Sequence, residues 1–125
     1  MTDYERIGGE PALERLIGRF LDRVFGDFII GFLFEGRDRA RIHRHEVEHA
    51  AALLGGPRRY AGRPLAAVHQ PLRINRGQFR RRLAILRVVL HEDGVPPEII
   101  ERWIGHDARL ERAITDGLDC VPEAT

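Results

Sequence analysis

Cysteine is almost absent: Cys120 is the one thiol among 125 residues, so no internal disulfide can form, and a reducing, cytoplasmic compartment is expected. Long apolar runs are missing too. No stretch approaches the roughly 18 residues that a membrane span needs, and Met1-Thr2-Asp3-Tyr4-Glu5-Arg6 has neither the basic start nor the apolar core of a leader peptide, so no membrane partner is expected. Neither sign of charge dominates. The 20 Lys and Arg against 19 Asp and Glu leave a formal +1, and no overall field draws the chain to nucleic acid. The clusters Arg37-Asp38-Arg39-Ala40-Arg41 and Arg80-Arg81-Arg82 fall within helical patterns and read as solvated faces. Strand signals, internal repeats and low-complexity segments are also lacking, which leaves an all-α class. A monomer or weak dimer is as far as association can be read.

What is present is helical periodicity with clear punctuation. Gly8-Gly9-Glu10-Pro11 delivers a proline to a first helical turn, and Leu13, Leu16, Ile17, Phe20, Leu21, Val24 and Phe25 follow at helical spacing until Gly26-Asp27. The apolar run Phe28 to Phe34 predicts a buried corner that contributes aromatic rings. A second helix is predicted from about Asp38 to Leu54, ended by Gly55-Gly56-Pro57. Asn75 and Gln78 have capping-box spacing ahead of Phe79, Leu83, Leu86 and Leu90, with Gly94 beyond. Pro96-Pro97-Glu98 opens the last helix, which carries Ile99, Ile100, Trp103, Ile104, Ala108 and Leu110. The length suits one domain over residues 1–125, with a core from about 4 to 114 and a frayed tail from 116.

The second helix has an unusual face. Ile42, His45, Glu46, His49, Ala50 and Leu53 share one side, so histidines and a carboxylate stand where aliphatic residues would be expected. His45-Glu46-Val47-Glu48-His49 matches H-E-x-x-H, which sets two imidazoles one turn apart for zinc and a glutamate to activate water. The confirming context is thin. Position 52 is Ala and position 55 is Gly, which removes a third histidine, and Glu92 or Glu98 would have to serve without a local signature. Glu46-x-x-His49 is also half of a di-iron site, but no second E-x-x-H completes it.

A separate histidine sits in Leu65-Ala66-Ala67-Val68-His69-Gln70-Pro71. A short apolar turn carries His69 and Pro71 stops it, which aims an imidazole, although a histidine in such surroundings is ordinarily bonded to the backbone.

These landmarks fall in a familiar order. Tyr4-Glu5-Arg6-Ile7-Gly8-Gly9, Phe20, Leu33-Phe34, Leu54-Gly55-Gly56-Pro57-Arg58-Arg59-Tyr60-Ala61-Gly62-Arg63, Val68-His69, Phe79 and Gly94-Val95-Pro96 together resemble the truncated haemoglobins, in the group with cyanobacterial and ciliate members. The match spans Tyr4 to about Ala113. It implies a two-over-two helical sandwich around haem b, a diatomic gas as partner, and room for a redox partner. It also implies that His69 is the proximal iron ligand, that Phe34 packs on the porphyrin, and that Gly8-Gly9, Gly55-Gly56 and Gly62 make the shortening turns. Tyr60 and nearby arginines fall where the family holds the propionates.

The departures bear on function. The position after Phe20, which in the family bears a tyrosine that donates to bound oxygen, is Leu21. The family's distal glutamine is Glu46, preceded by His45, and some relatives bind iron through a histidine there. One turn earlier, a commonly polar site is Ile42. An ionised carboxylate beside dry iron is costly, so Glu46 is expected to be protonated, paired with a neighbouring arginine or histidine, or turned away. Phe20, Leu21, Phe34, Ile42, Phe79, Leu83 and Ile104 are the expected walls of the slot. His49 is assigned to the pocket rim or to support of the pocket, His43 to solvent, and His91, His106 and Cys120 to the surface.

Three readings follow. The first is a haem globin, not an enzyme in the ordinary sense, that binds oxygen, carbon monoxide or nitric oxide, with iron held by His69 and His45 at rest. Nitric oxide dioxygenation or redox side activity is open to it. The second is a zinc hydrolase using His45, Glu46 and His49; the third is a globin-shaped module without its cofactor.

Overall fold

The computed structural model describes residues 1–57 and 74–115. Helices α1 (Asp3–Arg6), α2 (Gly9–Phe25), α3 (Arg39–Leu54), α4 (Arg76–Glu92), α5 (Pro97–Ala108) and α6 (Glu111–Thr115) are joined by a 3₁₀ turn at Gly31–Phe34, with no strand among the described residues. No helix in them is long and apolar enough to cross a membrane.

The boundaries follow from local chemistry. Asn75 Oδ1 accepts from the Gln78 N–H at 2.8 Å while Gln78 Oε1 accepts from the Asn75 N–H at 3.0 Å, so two donors that α4 would leave bare are satisfied. Thr2 and Glu5 make the same reciprocal pair ahead of α1. That helix is too short to show periodicity and is absent from the sequence reading. Asp38 caps α3, and at its other end Gly55 adopts φ +87°, a conformation that lets the Gly56 N–H reach the Ala51 carbonyl at 2.8 Å.

Packing puts α2 against both α3 and α4, α4 against α5, and α3 against α5, which is a pair of helices laid over a pair. Leu13, Leu16, Ile17, Phe20, Leu21 and Val24 of α2 are all buried and share one core with Ile99, Ile100 and Trp103 of α5 and Leu86, Val89 and Leu90 of α4. Each such side chain contributes about 1.5–3 kcal/mol by leaving water. A smaller cluster of Ile74, Phe79 and Ile114 stands apart, and the incompletely buried Leu33 and Leu83 touch both.

The corner after α2 is less uniform than its composition suggests. Ile30 and Phe34 are buried, but Phe28 is fully exposed and Phe32 largely so. Asp27 sets this pattern: its Oδ2 accepts from the N–H groups of both Ile29 and Ile30 at 3.0 Å, which turns the chain before the apolar run can fold inward as a unit.

Candidate functional site

The polar face of α3 meets α4 and α5 in a buried charge network. Arg82 of α4, only 8% exposed, directs Nη2 to Oε1 and Oε2 of Glu46 at 2.7 and 2.8 Å. Its guanidinium carbon lies 5.0 Å from the centroid of the Phe20 ring, a cation over an aromatic face. Behind it, Arg82 Nη1 is 3.8 Å from Oδ2 of Asp107, which is itself buried on α5. The other oxygen of Asp107 faces two imidazoles, His106 Nδ1 at 3.3 Å and His49 Nε2 at 3.4 Å.

Charge balance favours the ionised forms of Arg82 and Asp107. Burial alone would lower the Arg82 pKa, but the Glu46 and Asp107 carboxylates outweigh it and hold the guanidinium above its ordinary value. Burial likewise would raise Asp107, yet its contacts with His106 and His49 and the charge of Arg82 prevail over burial and over Glu46, and its pKa is lowered. Two carboxylates therefore share one arginine across the α3, α4 and α5 junction.

The residues singled out from sequence are placed as follows. Phe20, Leu21, Phe34 and Phe79 are buried, Ile42 is partly buried against the main core, and Ile104 is buried beside Trp103 in the same cluster. His45 is half-buried on α3, immediately before the clamped Glu46. Tyr60 and His69 lie outside the described residues. The zinc reading is not supported: Glu46 is engaged by Arg82, and His49 groups with His106 and Asp107 rather than with His45.

Three surface assignments need correction. Arg82 does not belong to a solvated face. It stands three residues after Phe79 and four before Leu86, on the inward stripe of α4, a spacing that the neighbouring Arg80 and Arg81 obscured. His106 is not simply on the surface, because it turns toward buried Asp107. Asp107 was missed, although it continues the stripe of Ile100, Trp103 and Ile104. His43 also departs from the expected solvent position: it is partly buried, with Nε2 3.1 Å from the Glu14 carbonyl on α2.

Two stacked helix pairs of this arrangement define a globin of the shortened, two-over-two kind. The chain belongs to the bacterial-like globin family, whose sequence profile matches residues 2–116, and within it to the truncated haemoglobins. A group 1 truncated haemoglobin of Mycolicibacterium paratuberculosis is 37% identical over 114 residues, covering 91% of this chain and 84% of the relative. The solved truncated haemoglobin of Tetrahymena pyriformis in its Fe(III) form superposes with a TM-score of 0.76 at 24% identity, over 95% of this chain and 98% of that one. The group II truncated haemoglobin of Bacillus anthracis gives 0.83 at 25% identity, over 97% and 95%. The family binds haem and gaseous ligands.

The described residues fit such a group. Leu33 and Leu83 bridge two separate apolar clusters without being fully buried, aromatic rings stand on α2, α4 and the 3₁₀ turn, and α3 carries a half-buried imidazole. An imidazole among apolar and aromatic side chains suits haem iron better than a hard, oxygen-seeking cation.

Proposed function

We propose that this chain binds haem b between His69 as proximal ligand and His45 as distal ligand, and takes up oxygen, carbon monoxide or nitric oxide in place of His45. The observation that carries the reading is the grip of Arg82 on both oxygens of Glu46. A carboxylate whose charge is met by a guanidinium competes less well for the metal than a free one. Leu21 and Ile42 supply no donor to hold water or a gas ligand, so the His45 imidazole has little competition. His49, about 6 Å farther along the helix, is turned toward Asp107.

When bound, the haem supplies the gas-binding and redox chemistry, and the protein tunes it through axial ligand and pocket polarity. Phe20, Leu21, Phe34, Ile42 and Phe79 would wall it, and Tyr60 would meet the propionates. The single thiol, Cys120, suits a cytoplasmic setting, where a redox partner keeps such a protein reduced. An external ligand has to wait for His45 to leave, so its apparent affinity is scaled by the open fraction.

The test is the ferric and ferrous absorption spectrum of the wild type against His45→Leu. A low-spin, six-coordinate wild type and an open variant that binds carbon monoxide faster support the reading. Identical spectra would remove His45 from the iron, and a purified protein without a Soret band would remove haem altogether.

A further inference from the structure

We propose that His49, His106 and Asp107 form a site for a divalent transition metal, zinc foremost, at the contact of α3 with α5, independently of haem. The three donor atoms lie within 4.8 Å of one another. Asp107 Oδ1 is 3.3 Å from His106 Nδ1 and 3.4 Å from His49 Nε2. Bonds of about 2.0–2.1 Å to a tetrahedral zinc ion separate neighbouring donors by about 3.3 Å, so two edges of the coordination face are already set. The third edge, between the two imidazole nitrogens, is within 4.8 Å and shortens when the ion binds.

The nitrogen of His49 is the second indication. Nε2 is shielded from water and has no hydrogen-bond partner among the described residues, its 3.4 Å approach to Asp107 being off the line of a hydrogen bond. A buried polar atom left so is destabilising, and a metal ion would satisfy it. His106 Nδ1, in contrast, already meets the carboxylate. Binding metal moves the His106 proton to its other ring nitrogen or releases it.

The surroundings fit a dication. Arg82 holds the far oxygen of Asp107 and so turns Oδ1 toward the imidazoles, in the manner of an outer-shell partner. Its own charge is balanced by Glu46, which leaves the Asp107 carboxylate to offset part of the metal charge. Two imidazole nitrogens and one carboxylate oxygen suit zinc or copper(II), whereas calcium and magnesium take oxygen donors. The His106 side chain is 37% exposed, so ion and a fourth, water ligand enter from that side. Neither His45 nor Glu46 takes part, which separates the site from H-E-x-x-H.

Equilibrium dialysis of the full chain as purified against zinc, with the bound metal counted by elemental analysis, tests the site. One zinc per chain is expected, with affinity reduced about tenfold or more in His49→Ala and in His106→Ala, and unchanged in His43→Ala and His91→Ala. Because His106 is partly exposed, its alanine variant should keep the fold. As a second measurement, zinc should raise the thermal midpoint of the wild type and not that of His106→Ala. Absence of bound zinc, or zinc retained in His106→Ala and lost in His45→Ala or His43→Ala, would overturn the proposal.

Discussion

Arg82 on α4 and Glu46 on α3 face each other through two short contacts, with side chains 10% and 12% exposed, at the point where three helices meet. Breaking a buried pair by removing one partner is far costlier than replacing both by apolar groups. Arg82→Met takes the cation from between Glu46 and Asp107, and a loss of about 3–5 kcal/mol is expected. The double variant Arg82→Met/Glu46→Leu should recover part of that loss. Urea midpoints at unchanged slope measure both, and a single variant as stable as the wild type would show that the arginine is not needed to hold the junction.

The proximal assignment has its own consequence. In the proposed reading His69 is the proximal ligand, whereas His91 is exposed at the end of α4. His69→Ala should abolish normal haem retention, and His91→Ala should leave it intact. Haem content and the Soret band of the two purified variants decide the matter; a His69→Ala protein with full haem content would withdraw the whole carry-over from the family.

The helices were legible wherever an apolar stripe was long enough to repeat. The six buried residues of α2 and the capping pair Asn75 and Gln78 needed no tertiary information. The junction was harder to read. An arginine inside an arginine triplet looks solvated, and Arg82 is inward only because Glu46, 36 residues away, comes to meet it. Position within the stripe was the available signal, and residue type overrode it. Pairing with an arginine was among the outcomes expected for Glu46, but no local pattern could choose the partner. Asp107 was hidden for the same reason, since His49 and Arg82 reach it from two other helices, and His106 was hidden with it. The corner failed differently: hydrophobicity suggested uniform burial, but the turn imposed by Asp27 leaves Phe28 outside.

Glycines in that corner should differ sharply in tolerance. A Cβ on Gly31 would stand 2.7 Å from the Phe25 carbonyl oxygen, a backbone atom that cannot swing away. Gly36 has nothing within 4 Å but adopts φ +74°. Gly36→Ala should therefore cost about 1–2 kcal/mol through backbone strain alone. Gly31→Ala should cost more, about 1–3 kcal/mol from overpacking with further loss as α2 and the 3₁₀ turn part. Thermal midpoints compare the pair, and equal destabilisation would argue against the close approach of the turn to α2.

The last prediction concerns acid. Arg81 of α4 donates to both oxygens of Asp27, at 2.6 and 3.2 Å, and ties the corner to the opposite helix pair. The hydrogen bond from Arg81, helped by the Ile30 and Ile29 N–H groups, holds the Asp27 carboxyl at about 2, below its ordinary 3.8, against a smaller opposing effect of burial. The folded protein therefore binds this proton less readily than the unfolded chain. The resulting stabilisation is fully present above the unfolded value and is lost as pH falls toward 2. Because the Arg81 side chain is 41% exposed, water screens the pair, and a contribution of about 1–2 kcal/mol at neutral pH is expected. Asp27→Asn should be less stable than the wild type by that amount at pH 7, and the two urea midpoints should converge between pH 4 and 2. A gap that stays constant over the whole range would mean that Asp27 acts through its backbone turn alone, without the charge of Arg81.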